Sequence, residues 1–237
     1  MVAKRTLTAW LLALLASCAW AAEPEPAKEP TAEDKADMVA LDASADRLRA
    51  HDPTGAIRSV EPIIQRYEAQ RARDAQQRLY SARSQPETLF YLLQAAAGKQ
   101  SAAVVGPALV GAYYQKGFAL IEAGKLAQAR ATFEQGLEVA PMNSPLLSEL
   151  AYTYQQERNW PKMLELFKQA VRASEFSPES EKAHEKGRAL RGQGFALIEL
   201  KRLDEAEQVF KDCLAMDPND DKAKNELSYI AGLRRQS

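Results

Sequence analysis

A small residue, a second small or slender residue twelve positions later and a phenylalanine four beyond that occur three times in the second half of this 237-residue chain. The sets are Gly117/Ala129/Phe133, Ala151/Met163/Phe167 and Gly194/Ala206/Phe210. The first two start 34 residues apart and the next two 43 apart, so the period is that of a helix-turn-helix unit with one nine-residue insertion. In such a unit the first helix crosses the second closely, and a side chain larger than alanine at the crossing would hold the axes apart. That requirement accounts for Gly117, Ala151 and Gly194 on the first helices and for Ala129 and Ala206 on the second. Tyr113, Leu147 and Leu190, with Leu120, Tyr154 and Leu197, are expected to fill the layer between helices, while Phe133, Phe167 and Phe210 reach toward the next pair. A unit of this kind cannot bury its own apolar face; it is stable only when stacked, and the stack leaves an extended concave surface.

The blocks Tyr113-x3-Gly117-x6-Gly124-x4-Ala129-x3-Phe133-x7-Pro141 and Gly194-x11-Ala206-x3-Phe210-x7-Pro218 resemble the tetratricopeptide repeat. The resemblance covers residues 110–220 and, in degenerate form, 37–67. It implies an all-α, right-handed α-solenoid of three to four helix pairs, with an additional N-terminal helical layer and a C-terminal capping helix. Repeats would occupy 107–143, 144–173 and 178–220, and the cap 221–235. The family's first helices line a groove that takes extended peptides or helices. On this chain the matching stripe is Tyr114, Phe118 and Glu122; Ser148, Tyr152 and Gln155; and Arg188, Arg191 and Phe195. Family members that bind chaperone tails hold a peptide carboxylate between asparagine and lysine side chains. Here Phe118, Tyr152 and Phe195 stand in place of the asparagines, which fits an apolar or mixed segment carrying an acidic residue for Arg188 or Arg191. The same stripe could instead pack against an apolar helix around Leu89–Leu93 or against the long N-terminal helix, leaving no open groove.

The N-terminus has the pattern of an export signal. Lys4 and Arg5 give a positive start, Leu7 to Ala16 an apolar core of about ten residues, and Ala19-Trp20-Ala21 a small-x-small cleavage site. That core is too short to span a bilayer as a helix. Leu15-Ala16-Ser17-Cys18 also resembles a bacterial lipobox, which would make Cys18 the lipidated first residue and tether the chain to a membrane. The expected segments are thus a signal over 1–21 (or 1–17 with lipidation), a Pro/Glu-rich linker over 22–31 and a helical domain over 32–237. Both alternatives place the chain in the cell envelope. Loss of Lys4 and Arg5 takes the formal charge from −1 to −3, too mild to imply a polyanionic or polycationic partner. Cys213 is the only cysteine besides Cys18, so packing and not a disulfide must stabilise the domain.

In the N-terminal half, Met38, Leu41, Ala45 and Leu48 recur at helical spacing, and His51-Asp52-Pro53-Thr54-Gly55 breaks the pattern. Ala56 and Val60 then stand where Ala129 and Phe133 stand later, with Ser44 as the small residue twelve earlier. Pro62 either bends this helix near Ser59 or opens a new one. Connecting helices are expected over 68–98. The arginine-rich run from Arg66 to Arg83 is read as a solvated helix face. Pro86 to Ala97 carries leucines and alanines on nearly every side and is expected to be buried across the first full repeat. Ser177 is the expected cap of a lengthened helix leading into the last repeat, and Asp220 or Asp221 that of the terminal helix.

Nothing in the chain assembles chemistry. His51 and His184 lack second ligands at metal spacing, Cys213 lacks a neighbouring histidine, and Gly98-Lys99 and Gly124-Lys125 lack a phosphate-loop pattern. The expectation is a non-catalytic protein–protein interaction scaffold or adaptor of the bacterial cell envelope, without cofactor or metal. It would bind a protein or peptide and not nucleic acid, with a membrane tether through Cys18 as the lipidated alternative. The other reading is a structural subunit of an outer-membrane, pilus or cell-wall assembly whose groove is internally filled.

Overall fold

Pairs of antiparallel helices, each stacked on the next, build the domain. The computed structural model describes residues 31–236. The signal segment, Cys18 and all of the linker but Thr31 lie outside them. The helices are α1 (Ala32–Arg49), α2 (Pro53–Arg73), α3 (Gln85–Ala97), α4 (Ala108–Glu122), α5 (Leu126–Val139), α6 (Ser144–Thr153), α7 (Trp160–Ala173), α8 (Glu179–Glu199), α9 (Leu203–Met216) and α10 (Asp221–Gln236). Helix α1 packs on α2, α2 on α4, and the pairs α4/α5, α6/α7 and α8/α9 follow in order, with α10 covering α9. This is an all-α helical-repeat solenoid.

Local chemistry sets the element ends. Asp52 caps α2 by accepting from the Gly55 N–H at 2.8 Å, Asn143 caps α6 through Leu146, and Asp220 caps α10 through Ala223. Gly124 turns α4 into α5 at φ +72°, a left-handed conformation that costs glycine nothing. Pro62 lies inside α2, which runs through it unbroken; the proline removes only the bond that its missing N–H would have made.

Two of the three phenylalanines pack on the glycine of their own repeat, a contact the expectation did not include. A Cβ built on Gly117 would lie 2.2 Å from the Phe133 ring, and one on Gly194 would lie 2.5 Å from Phe210, so these two rings fold back onto the glycine of their own repeat. Phe167 meets Gly192 of the following repeat and also lies edge-on to Tyr152 of its own at 5.0 Å. All three rings are fully buried, as is Met163 at the middle crossing.

Residues 74–105 depart from the connecting helices expected there. The chain leaves helix at Arg73 and forms strand β1 (Gln77–Ser81), which pairs in parallel with β2 (Ser101–Val105), with α3 as the crossover between them. Tyr80 and Tyr91 stack inside this small unit at 5.0 Å. Helix α3 is therefore not sandwiched between helices. It buries Glu87, Tyr91 and Ala95 and leaves Leu89 and Leu93 about 60% exposed.

Candidate binding groove

The first helices of the three repeats, α4, α6 and α8, share a face, and one buried carboxylate joins them. Glu149 on α6 accepts from the Tyr114 hydroxyl of α4 at 3.1 Å and from the Arg188 guanidinium of α8 at 2.6 Å. The same guanidinium lies over the Tyr152 ring at 5.4 Å. Burial opposes the Arg188 charge, but the Glu149 carboxylate outweighs it and holds the guanidinium above its ordinary pKa. Burial, with Glu149 beside it, pushes the Tyr114 phenol up to about 12.

Two further networks close the ends of the face. Near α4, Arg83 leaves β1 and donates to Glu185 at 2.7 Å and Glu87 at 3.0 Å, with Glu181 at 3.2 Å. The Ser177 hydroxyl donates to Glu185 instead of capping α8, and Pro178 occupies the cap position without a side-chain bond. Burial raises the Glu185 carboxyl, but Arg83 and Ser177 bring it below its usual range; burial keeps Glu87 above that range. At the other end Arg191 donates to Asp220, the cap of α10, at 2.7 Å.

Between these networks the face is open. One cavity of about 310 Å³ is lined by Tyr114 and Ser148 among others, with Arg83 and Arg188 on its wall. A second of about 560 Å³ is lined by Tyr152, Gln155, Arg191 and Phe195 and shares His184 and Arg188 with the first. The sequence-derived stripe is thus split. Seven of its residues, Tyr114, Ser148, Tyr152, Gln155, Arg188, Arg191 and Phe195, line the two cavities, whereas half-buried Phe118 and exposed Glu122 line neither. None of residues 86–98 lines either cavity, so α3 does not fill the groove. The acidic partner expected for Arg188 or Arg191 is already supplied from within, by Glu149 and Asp220.

Sequence reading missed Glu149, Glu185 and Arg83. A signal for the first exists: Glu149 stands two residues before Ala151, where the flanking repeats have uncharged Gln115 and Gly192, and it is almost fully buried. Among the described residues no group of histidines, cysteines and carboxylates could hold a metal ion.

A stack of helix pairs with such a groove defines a helical-repeat protein. Residues 110–143 and 142–219 match models of the tetratricopeptide repeat, and this part of the chain is built of such repeats. No curated protein matches it. A tetratricopeptide repeat protein from Parabacteroides merdae superposes with a TM-score of 0.56 at 16% identity, over 85% of this chain and 61% of its own. MamA from Desulfovibrio magneticus RS-1 gives 0.54 at 15% identity, over 85% of this chain and 86% of its own. The second such domain of human RPAP3, solved with the HSP70 peptide SGPTIEEVD, gives 0.43 at 23% identity over 50% of this chain and 92% of its own.

Proposed function

We propose that this chain is a non-catalytic scaffold that holds a partner polypeptide along the face shared by α4, α6 and α8. The observation that carries the reading is the pair of adjoining cavities, left open between two closed charge networks and lined by the first helices of all three repeats. The tetratricopeptide fold itself supports a protein-binding scaffold, since stacking yields a surface and not a reaction centre. A photo-crosslinking residue at exposed Gln155 tests this against one at exposed Glu134 on α5, a second helix. Crosslinks from Gln155 to a discrete partner, absent from Glu134, are the expected result; the reverse pattern would move the binding surface to the other face.

We further propose that the scaffold works in a bacterial cell envelope, on the strength of the export pattern over residues 1–21. Cleavage after Ala21 gives a free periplasmic form and lipidation at Cys18 an anchored one. Cys18→Ala separates them. Loss of membrane association would establish the anchor, and unchanged association would exclude lipidation. Retention of the whole chain in the cytoplasm, uncleaved, would contradict the envelope assignment.

A further inference from the structure

The βαβ unit is unfinished on its outer side. Two-stranded sheets are marginal on their own, and parallel ones are as a rule covered. Among the described residues only β1 and α3 pack substantially against β2, so its other edge has no neighbouring strand. The Ala82 N–H donates to the Val105 carbonyl, which turns the backbone groups of Ser101, Ala103 and Val105 toward β1. Successive residues of a strand alternate, so the N–H and C=O of Ala102 and of Val104 point out of the free edge. That edge has none of the usual guards, neither proline nor charge nor bulge.

Charge narrows what covers it. Leu89, Leu92 and Leu93 of α3 are exposed, and from Ser84 to Gln115 the only charged residues are buried Glu87 and Lys99, in the turn after α3. The occupant must therefore bring an uncharged strand and an apolar companion for the leucines. The chain's own residues 22–30 fail on both counts, with three prolines and three glutamates. The same surface of another copy meets both. We infer that a second copy of this chain covers the unit, joined across a two-fold axis with the two β2 strands antiparallel. The register that satisfies every free group pairs Ala102 with Val104 of the second copy and Val104 with its Ala102. Ala102 and Val104 face α3, whereas Ala103 and Val105 face the core formed with α2 and α4, so both α3 helices come to one face of the joined sheet. Strands about 4.8 Å apart put helices lying over β1 and β2 of each copy about 8–10 Å apart, the spacing of packed helices. The leucines then meet their counterparts, and the two Lys99 side chains lie at opposite ends of the interface. No residue of α3 or β2 lines either groove cavity, so the inference does not depend on the scaffold reading.

Sedimentation equilibrium tests this on the full chain carrying Cys18→Ala, which removes any lipid anchor. The expected result is a monomer–dimer equilibrium with little dependence on salt. Val104→Pro deletes an N–H that faces the free edge and leaves the ladder to β1 intact. It should raise the dimer dissociation constant at least about tenfold while the circular dichroism of the monomer stays unchanged. Leu89→Lys with Leu93→Lys, on a surface exposed in the monomer, should do the same by burying like charges against each other. A chain that stays monomeric overturns the inference, also where its α3 leucines bind anionic vesicles instead. So does a dimer that either variant leaves intact.

Discussion

Arg188 and Glu149 meet at 2.6 Å although 39 residues separate them, and this contact, with Tyr114 on the same carboxylate, makes three repeats share one polar centre. Glu149 is buried and Arg188 partly so. Removing the acid strands a cation that burial already disfavours. Glu149→Gln should destabilise the domain by about 2–4 kcal/mol, read by urea unfolding. A double-mutant cycle with Arg188→Gln should return a coupling of about 1–3 kcal/mol. Simple additivity would mean that the pair contributes no coupling.

The glycine–phenylalanine contacts reverse an ordinary rule. In an exposed helix interior Gly→Ala stabilises by roughly 1 kcal/mol. At Gly117 the added methyl would lie 2.2 Å from the Phe133 ring, so Gly117→Ala should instead cost about 1–3 kcal/mol. Phe133→Ala, Phe167→Ala and Phe210→Ala should each cost about 3–5 kcal/mol, because each ring is fully buried. The pair Gly117→Ala with Phe133→Leu should recover part of the glycine penalty, as denaturation midpoints would show.

Arg83 sets an acid-sensitive latch between the βαβ unit and α8. Glu185, depressed by Arg83 and Ser177, contributes stability above the ordinary carboxylate range and loses it as pH falls through and below about 4.5. Arg83→Met leaves Glu87 and Glu185 without their cation and should cost about 3–5 kcal/mol at pH 7. Both carboxyls then titrate above their unfolded values, so the variant regains stability as they protonate. The gap between wild type and variant should therefore narrow from pH 7 toward pH 4, as parallel unfolding curves would show; a constant gap would contradict the assignment.

Cys213 is buried, and burial, with Asp220 nearby, pushes its thiol up to about 11. It should resist iodoacetamide at pH 8 in the folded protein and react at once in denaturant. Rapid alkylation of the folded chain would place the thiol elsewhere.

The repeat core was legible because close helix crossings and buried phenylalanines impose a fixed interval, and that interval survives substitutions such as Met163. The βαβ unit was not. Its strands are five residues each, and their parallel partners lie 24 positions apart in sequence. Gln77-Arg78-Leu79-Tyr80-Ser81 also sits in an arginine run that reads equally well as helix. The groove stripe could be placed by helical register, which brought Tyr114, Tyr152 and Phe195 to the cavities. The ion pairing of its arginines could not be placed that way, since Glu149 and Asp220 reach them through stacking and not through sequence proximity.

The shared face of α4, α6 and α8 is proposed as the surface that binds. Titrating a pool of N-acetylated, C-amidated decapeptides of mixed sequence into isotopically labelled protein and following the backbone amide resonances tests it most directly. Shifts should concentrate at Tyr114, Ser148, Tyr152, Gln155 and Phe195, with Glu134 on α5 and Gln169 on α7 unchanged. Shifts confined to α5, α7 and α9, or to the exposed leucines of α3, would contradict it.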